Sequence, residues 1–221
     1  KARLCVLLGV FVGVLPGLAT AAMSVHFIDV GQGGAVLIQK DGKTIMYDCG
    51  DTFAGKTVVD YLDALDVKTV NFMVISHAHK DHMGGCIDVL KKFPVKRIYH
   101  NGSSAGTGTW KQFLKLAKKA QSVEVVERDT TVEGLQILVA YDSKGRRYNK
   151  EANNSVLLRV VDGKVRLLLT GDCEVPCEME VSKESDVSAD ILNVGHHGSK
   201  AASGPEFLKK VKPTVAIIQA G

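Results

Sequence analysis

The sequence predicts an α/β protein that folds as a four-layer αββα sandwich. Short apolar segments rich in β-branched residues occur in two groups along the 221 residues, and helical periodicity follows the strands of each group. No repeat, low-complexity tract or linker separates the groups, so residues 23–221 are predicted to form one domain. A chain of this length buries a sizeable hydrophobic core.

The first group of strands is joined by glycine-containing turns, Gly31-Gln-Gly-Gly34 and then Asp41-Gly42. Helices are predicted where apolar residues share one face, as Trp110, Phe113 and Leu114 do. The predicted strands cover residues 25–30, 35–39, 44–48, 71–75 and 96–100, and the predicted helices cover residues 57–65, 85–93 and 109–120.

The second group contains the clearest hairpin of the chain, in which two apolar runs flank Asp162-Gly163. A short helix is expected around Glu178, and Pro205 begins another helix that ends at Val211. The predicted strands cover residues 123–126, 135–139, 155–161, 164–170, 190–194 and 214–218.

A cluster of metal-ligating side chains, Ser76-His-Ala-His-Lys-Asp-His-Met-Gly-Gly85, directly follows the apolar strand at residues 71–75. A strand that ends at such a cluster leaves its side chains on a turn, where several can converge. Imidazole nitrogen and carboxylate oxygen are ligands that Zn²⁺, Mn²⁺ and iron prefer, and this spacing suits two neighbouring ions better than one. The alternative, a solvated histidine-rich turn, leaves the glycine pair and the apolar strand unexplained.

The His-x-His-x-Asp-His pattern resembles the signature of the metallo-β-lactamase superfamily. Further motifs narrow the resemblance to the hydrolase domain of ComEC-type DNA-uptake proteins and their stand-alone secreted relatives. These motifs are Phe27-Ile-Asp-Val-Gly-Gln-Gly33, Asp48-Cys-Gly50, Asn153-Asn-Ser155, Leu168-Leu-Thr-Gly-Asp172 and Val194-Gly-His-His-Gly-Ser-Lys200. The resemblance runs from about residue 24 to the last residue. It implies the αββα fold, with the strand-end loops gathered along one edge.

The resemblance also implies two divalent transition-metal ions, Zn or Mn. His77 and His79 would hold one ion, and Asp81 and His82 would hold the other. Asp172, at the end of an apolar strand, would bridge both ions. Without these neighbours, its Gly-Asp pair would be read as an ordinary turn.

The paired histidines His196 and His197 end another apolar strand. Because adjacent side chains usually point in opposite directions, His196 is expected to be a ligand and His197 to face the substrate. Ser199 and Lys200 supply a hydroxyl group and a positive charge suited to phosphate oxygens. The catalytic residues are therefore predicted to be Asp81, His197 and Lys200, with Ser199 and Lys200 also binding substrate.

Asn154 stands near a position at which other branches of the superfamily place a ligand histidine. It either offers an amide oxygen at the site, as a substrate-binding residue, or caps its own turn. Asp29 and Asp48, both at strand ends, are expected to orient the imidazoles of the metal ligands.

Two features depart from the branch. Gly34 replaces the aspartate that usually ends the first motif, which removes one polar contact near the site. The sequence ends at Gln219-Ala-Gly221, where the branch continues to a further histidine-rich loop, so the domain is expected to be incomplete at its C-terminus.

Residues 1–22 differ from the rest of the chain. Lys1 and Arg3 precede an uncharged apolar run, and Ala19-Thr-Ala21 gives a small-x-small cleavage pattern. A cleaved signal peptide is favoured over a membrane segment because Pro16-Gly17 interrupts the run. The protein is therefore expected to be secreted or periplasmic, with membrane anchoring by this segment as the alternative.

Four cysteines follow the N-terminal segment, and their pairing is not readable from sequence. For Cys49 and Cys86 the expected role is that of an ordinary buried apolar side chain. The remaining two, Cys173 and Cys177, show no zinc-knuckle pattern.

The predicted function is hydrolysis of a phosphodiester by a hydroxide bound to two metals, outside the cytoplasm. Metal binding lowers the pKa of water to about 7, and no Ser or Cys nucleophile with a partner His is apparent. The net charge of +4 is too small to indicate nucleic acid by itself, so DNA as the leading substrate rests on the resemblance. Phosphorylcholine-type esterase, lactonase, β-lactamase and a non-catalytic binding module remain alternatives. No stable protein partner is predicted, and no membrane contact after signal cleavage.

Overall fold

The computed structural model describes residues 23–221, so the predicted signal peptide or membrane segment at residues 1–22 lies outside the described residues. Within the described part, the strands form two six-stranded sheets. The strands are β1 (Ser24–Phe27), β2 (Val36–Lys40), β3 (Lys43–Tyr47), β4 (Val70–Val74), β5 (Val95–His100), β6 (Ser122–Val125), β7 (Thr130–Val132), β8 (Leu135–Leu138), β9 (Leu157–Asp162), β10 (Val165–Leu169), β11 (Ile191–Asn193) and β12 (Val215–Ile217). The α-helices are α1 (Gly55–Ala64), α2 (Lys80–Met83), α3 (Cys86–Lys92), α4 (Gly108–Ala117), α5 (Val175–Glu184) and α6 (Pro205–Val211).

The two sheets stack face to face, and helices cover both outer faces. The first sheet has the order β1-β2-β3-β4-β5-β6, and the second has the order β12-β11-β10-β9-β8-β7. One apolar cluster lies between the first sheet and helices α1, α3 and α4, a second lies between the sheets, and a third lies between the second sheet and helices α5 and α6. The predicted four-layer αββα sandwich is confirmed.

The alternation of side chains along the strands explains this layering. Leu37 of β2 faces the first helix layer, whereas Val36 and Ile38 face the other sheet, as the two-residue period of a strand requires. All three side chains are buried because both faces of the strand are covered. Central strands of this kind are apolar on both faces.

Two short elements were missing from the sequence prediction. Helix α2, Lys80–Met83, has no side-chain cap, and strand β7, Thr130–Val132, lies at a sheet edge. Neither is long enough to show a periodicity. Among residues 23–221, no helix has the length and apolar character that a membrane crossing requires.

The expectation for Cys49 and Cys86 as ordinary buried thiols is wrong. The structure pairs Cys49 with Cys86 and Cys173 with Cys177 in disulfide bonds. The loop after β3 and the start of α3 approach closely because Gly85 N–H donates to Gly50 O at 3.0 Å. A Cβ atom at Gly85 would lie 2.1 Å from Cys49 O, so only glycine permits this approach.

Candidate metal centre

The predicted site residues come together because the strands that precede them run in parallel. Strand β3 pairs in parallel with β4, and β10, β11 and β12 form a parallel set. The loops after these strands therefore leave the sandwich at one edge. They carry Asp48, the histidine cluster that follows Ser76, Asp172, the histidine pair at 196–197, and Gln219.

The carboxylate of Asp172 is the centre of this arrangement, and it is 2% exposed. Its Oδ2 atom lies 3.6 Å from Nε2 of His77 and 3.6 Å from Nε2 of His196. Its Oδ1 atom lies 3.0 Å from Nε2 of His82 and 3.5 Å from Nε2 of His197. Each carboxylate oxygen thus faces a different pair of imidazoles.

The donor set fits divalent transition-metal ions. The Oδ1 atom of Asp172 is buried without a hydrogen-bond partner among the described residues, although His82 Nε2 lies 3.0 Å away. A buried carboxylate oxygen without a partner is costly, and a cation satisfies it. Two groups have ligand atoms within 4.8 Å of one another: His77, His82 and Asp172, and Asp81, His82 and His197. These nitrogen and carboxylate ligands are the ones that zinc and manganese sites use.

His79 and Asp81 complete the two sides of the cluster. Nδ1 of His79 lies 2.8 Å from Nε2 of His77, on the side of Asp172 Oδ2. On the other side, Oδ2 of Asp81 lies 3.4 Å from Nε2 of His197. All six predicted metal ligands therefore lie in one cluster, and His197 joins them.

A buried carboxylate orients His82. Asp48 Oδ2 accepts from His82 Nδ1 at 2.8 Å and from the Ser76 hydroxyl at 2.6 Å, and Oδ1 accepts from Ser76 N–H at 2.8 Å. In the neutral ring, a proton on Nδ1 leaves a lone pair on Nε2, the nitrogen that faces Asp172. Such carboxylate–imidazole pairs fix the orientation of a ligand histidine. Asp48 therefore contacts the imidazole of a predicted metal ligand, as the sequence led us to expect.

The expectation that only one of His196 and His197 faces the cluster is not met. Both residues adopt left-handed backbone conformations, with φ of 49° and 54°, so the alternation assumed for an extended chain does not apply. The Nδ1 atom of His196 lies 2.9 Å from Glu174 Oε1, and that of His197 lies 2.9 Å from Gln219 O. Both Nε2 atoms are thereby aimed at Asp172.

Three residues that support the cluster were not identified from the sequence: Glu151, Glu174 and Gln219. Glu151 Oε1 accepts from Ala78 N–H at 3.2 Å, which holds the backbone between His77 and His79. Glu174 Oε1, the atom that contacts His196, is itself held by Lys150 Nζ at 2.5 Å. The Gln219 amide donates to Ile28 O at 3.1 Å and to Ala35 O at 3.0 Å, which ties the end of β12 to the first sheet.

Asp29 does not orient any imidazole, which corrects the sequence expectation. It is exposed, and its carboxylate accepts from Gly31 N–H at 3.1 Å. It therefore caps a turn of its own loop.

Asn154 directs both polar atoms of its amide to its own loop, so its assignment as a substrate-binding residue is also corrected. Its Oδ1 atom accepts from Tyr148 N–H at 2.8 Å, and its Nδ2 atom donates to Tyr148 O at 2.9 Å. Both polar atoms are used to close the loop before β9. Of the two roles that the sequence left open for Asn154, the structure shows the capping of its own turn.

Ser199 and Lys200 lie directly after the histidine pair. Lys200 is exposed. The Ser199 hydroxyl accepts from Ala201 N–H at 3.3 Å and is partly exposed. Both side chains are accessible to a substrate.

Gly34 packs directly against the supporting pair of the cluster. A Cβ atom there would lie 3.2 Å from His82 Nδ1 and 3.5 Å from Asp48 Oδ2. The backbone of Gly34 also bonds to both neighbouring loops, since its N–H donates to Asp81 O and its carbonyl accepts from Gly50 N–H. Gly34 therefore lets three loops meet beneath His82.

Burial and mutual charge set the protonation of the cluster. Burial lowers the pKa of His77 well below its ordinary value. Burial opposes charge on His82 as well, but Asp48 and Asp172 raise its pKa to about 10. The interaction with His197 lowers the pKa of Asp81 to about 2. His82 would have to release the proton on Nε2 before that atom could hold a metal ion, so metal binding would be coupled to proton release.

Comparison with known proteins identifies the family. The model of the Metallo-beta-lactamase superfamily matches residues 28–221, and the chain belongs to this superfamily of metal-binding hydrolases. The fold is shared with Tm1679, a metal-dependent hydrolase of the beta-lactamase superfamily, at a TM-score of 0.56 and 19% identity, over 86% of this chain and 81% of that chain.

Curated relatives confirm the resemblance to ComEC-type proteins. Recombination protein 2 of Haemophilus influenzae is 34% identical over 92% of this chain and 25% of its own length. ComE operon protein 3 of Bacillus subtilis is 29% identical over 89% of this chain and 28% of its own length. Endoribonuclease ysh1 of Schizosaccharomyces pombe is 35% identical over 53% of this chain and 16% of its own length. The chain thus spans about a quarter of the length of the first two relatives.

Proposed function

We propose that the protein is a phosphodiesterase that uses two divalent metal ions and acts on nucleic acid outside the cytoplasm. The observation that carries this proposal is the buried carboxylate of Asp172, whose two oxygens face different pairs of imidazoles. One oxygen has no hydrogen-bond partner among the described residues. A bridging carboxylate between two cations accounts for both facts.

The ligands divide according to the oxygen of Asp172 that they face. We assign His77, His79 and His196 to the Oδ2 side, and Asp81, His82 and His197 to the Oδ1 side. Two divalent ions, Zn²⁺ or Mn²⁺, would supply an acidified water and offset the charge of a phosphodiester.

His196 is oriented as a ligand through a chain of two side chains, Glu174 and Asn153. Asn153 donates to Glu174 Oε2 at 3.3 Å and accepts from Glu174 N–H at 3.0 Å. Glu174 in turn contacts His196 Nδ1 at 2.9 Å. Asn153 therefore acts on the site indirectly, by fixing the carboxylate that orients His196.

Ser199 and Lys200, which follow the histidine pair, are assigned as the residues that contact a substrate phosphate. Lys200 is exposed beside the histidine pair, and Ser199 offers a partly exposed hydroxyl. An ammonium group beside the cluster attracts an anionic substrate and offsets charge on the phosphate oxygens. A neutral lactone gains little from Lys200, which favours the phosphodiester over a lactone.

Two observations favour nucleic acid and an extracytoplasmic location. Relatives include proteins named for recombination, for the ComE operon and for endoribonuclease activity. The two disulfide bonds, Cys49–Cys86 and Cys173–Cys177, are typical of proteins in oxidising compartments. This agrees with the signal peptide that the sequence predicts at residues 1–22.

The test is a comparison of substrates with the metal-loaded protein. Bis-p-nitrophenyl phosphate and single-stranded DNA are expected to be hydrolysed, and the β-lactam nitrocefin is expected to be stable. The Asp172→Asn variant is expected to lose about a thousandfold or more in rate, whereas Asp29→Asn serves as the matched control and keeps the wild-type rate. Faster hydrolysis of nitrocefin than of either phosphodiester would overturn the proposal.

A further inference from the structure

The turn between β3 and α1 carries an exposed aromatic ring. Phe53 is 71% exposed, the highest value among the large apolar side chains of residues 23–221. It lies in a short 3₁₀ turn, Thr52–Ala54, between β3 and α1. Exposing a side chain of this size forgoes about 1.5–3 kcal/mol of burial energy. The packing of the fold does not account for this ring, because it lies outside the three apolar clusters.

The turn that carries Phe53 is held rigidly. Asp51 Oδ1 accepts from Thr52 N–H at 2.5 Å and from the Thr52 hydroxyl at 2.8 Å, and Ala54 N–H donates to Asp51 O at 2.9 Å. Asp51 is itself only 7% exposed. A buried cap of this kind fixes the backbone on both sides of the exposed ring.

The same turn rests on the helix that carries Asp81 and His82. A Cβ atom at Gly84, the residue that ends α2, would lie 2.5 Å from Thr52 N and 2.9 Å from the carbonyl carbon of Asp51. The two backbones are therefore in direct contact. The turn that carries Phe53 therefore lies directly against α2, the helix of Asp81 and His82.

A positive charge accompanies the ring. Nζ of Lys80 lies 3.2 Å from Oδ2 of Asp51, and the Lys80 side chain is 57% exposed. Asp51 thus caps the turn of Phe53 with one oxygen and holds the ammonium group of Lys80 with the other. One buried carboxylate therefore holds both the turn that carries the exposed ring and an exposed cation that is adjacent to Asp81 in the chain.

We propose that Phe53 and Lys80 form a subsite for single-stranded nucleic acid, in which a nucleobase stacks on Phe53 and a backbone phosphate contacts Lys80. Aromatic faces and cations along a groove are the recurring elements of such sites. A base within a duplex is already stacked and leaves no face for Phe53, so the subsite selects single strands. The inference rests on the proposed function, because it places the strand that the metal centre would cleave.

Binding of strands that resist cleavage tests this subsite independently of catalysis. The probes are short oligothymidylate strands with phosphorothioate linkages, which keep their charge, and abasic strands of the same length and linkage. Fluorescence anisotropy with the metal-loaded protein measures each affinity. Wild-type protein is expected to bind the strand with bases about tenfold more tightly than the abasic strand, which corresponds to 1.4 kcal/mol.

The variants separate stacking from charge. Phe53→Ala is expected to abolish the preference for bases, and Phe53→Trp is expected to restore it. Lys80→Ala is expected to weaken both strands equally and to reduce the salt dependence of binding. Val165→Ala removes an exposed apolar side chain at the start of β10, and is expected to change nothing.

The outcomes distinguish this inference from the proposed function. Equal affinity of the wild-type protein for both strands, or an unchanged base preference in Phe53→Ala, overturns the subsite. The proposed function is overturned separately, by a metal-loaded wild-type protein that hydrolyses no phosphodiester. A base preference that depends on Phe53 supports the subsite whichever phosphodiester is cleaved fastest.

Discussion

Replacement of Asp48 by asparagine is expected to weaken metal binding through a change of tautomer at His82. Oδ1 of Asp48 accepts from Ser76 N–H, so an asparagine keeps its carbonyl oxygen there. Its amide nitrogen then faces His82 Nδ1, where Asp48 Oδ2 now accepts at 2.8 Å. The nitrogen donates, so Nδ1 must accept and the imidazole proton moves to Nε2. A protonated Nε2 has no lone pair for a metal ion.

The backbone tolerates this substitution, which makes the effect interpretable. Asp48 has a φ of 54°, and asparagine is among the residues that adopt this conformation readily. Loss of a group that orients a metal-ligating histidine costs about 10- to 100-fold in metal affinity, or about 1.4–2.7 kcal/mol.

Competition with a chromophoric chelator measures the Zn²⁺ affinity of the Asp48→Asn variant directly. Asp29→Asn is the matched control, because Asp29 contacts only the backbone of its own turn. Circular dichroism establishes that both variants fold. Wild-type affinity in a folded Asp48→Asn variant would refute the reasoning, because the tautomer of His82 would then not depend on Asp48.

Three further predictions concern Lys200, the end of β12 and a buried histidine. Lys200→Ala is expected to lower phosphodiesterase kcat/KM by about tenfold with unchanged metal content, and less at high salt; an unchanged rate would exclude a phosphate contact. Gln219→Ala removes two hydrogen bonds of the Gln219 side chain, which hold in place the Gln219 carbonyl oxygen that His197 contacts. It is therefore expected to lower metal affinity about tenfold. An unchanged affinity in a metal titration would contradict this role. Burial lowers the pKa of His100 to about 4, so on acidification the unfolded chain binds a proton at this residue before the folded chain does. The free energy of unfolding therefore falls as the pH drops from about 6.5 to about 4, by up to about 3 kcal/mol. Urea unfolding of His100→Gln should show a smaller loss over this pH range, and an equal loss would contradict the assignment.

Both the layers of the fold and the loops that form the site could be predicted from the sequence, and the reason is the same for both. Strand periodicity and turn residues are local signals, and parallel strands bring their carboxyl ends to one edge. The motifs at residues 76–85, Asp172 and the pair His196-His197 all end apolar strands, so their convergence followed from topology. Only short elements such as β7 lacked a readable pattern.

The roles that the sequence could not predict depend on contacts between distant residues. Glu174 reaches His196 across 22 positions, and Glu151 reaches Ala78 across 73 positions. No local pattern distinguishes these carboxylates from exposed ones. The errors at Asp29 and Asn154 have the same origin, because each stands in the expected motif but bonds to a backbone group nearby. The disulfide pairing likewise required the three-dimensional approach of two loops.

The pair His196-His197 shows how backbone conformation can override a sequence rule. Alternation of neighbouring side chains holds for extended chains, whereas both histidines lie in the left-handed region. Gly195 and Gly198 flank them and allow the tight turn. The consequence is that both rings reach Asp172, one toward each carboxylate oxygen.

The number of metal ions bound per chain tests the central claim most directly. Equilibrium dialysis against Zn²⁺ or Mn²⁺, followed by elemental analysis of the folded protein, measures this number. A centre bridged by Asp172 predicts about two ions per chain in the wild-type protein and fewer than one in Asp172→Asn. A folded wild-type protein that binds no ion, or an Asp172→Asn variant that still binds two, would contradict the account.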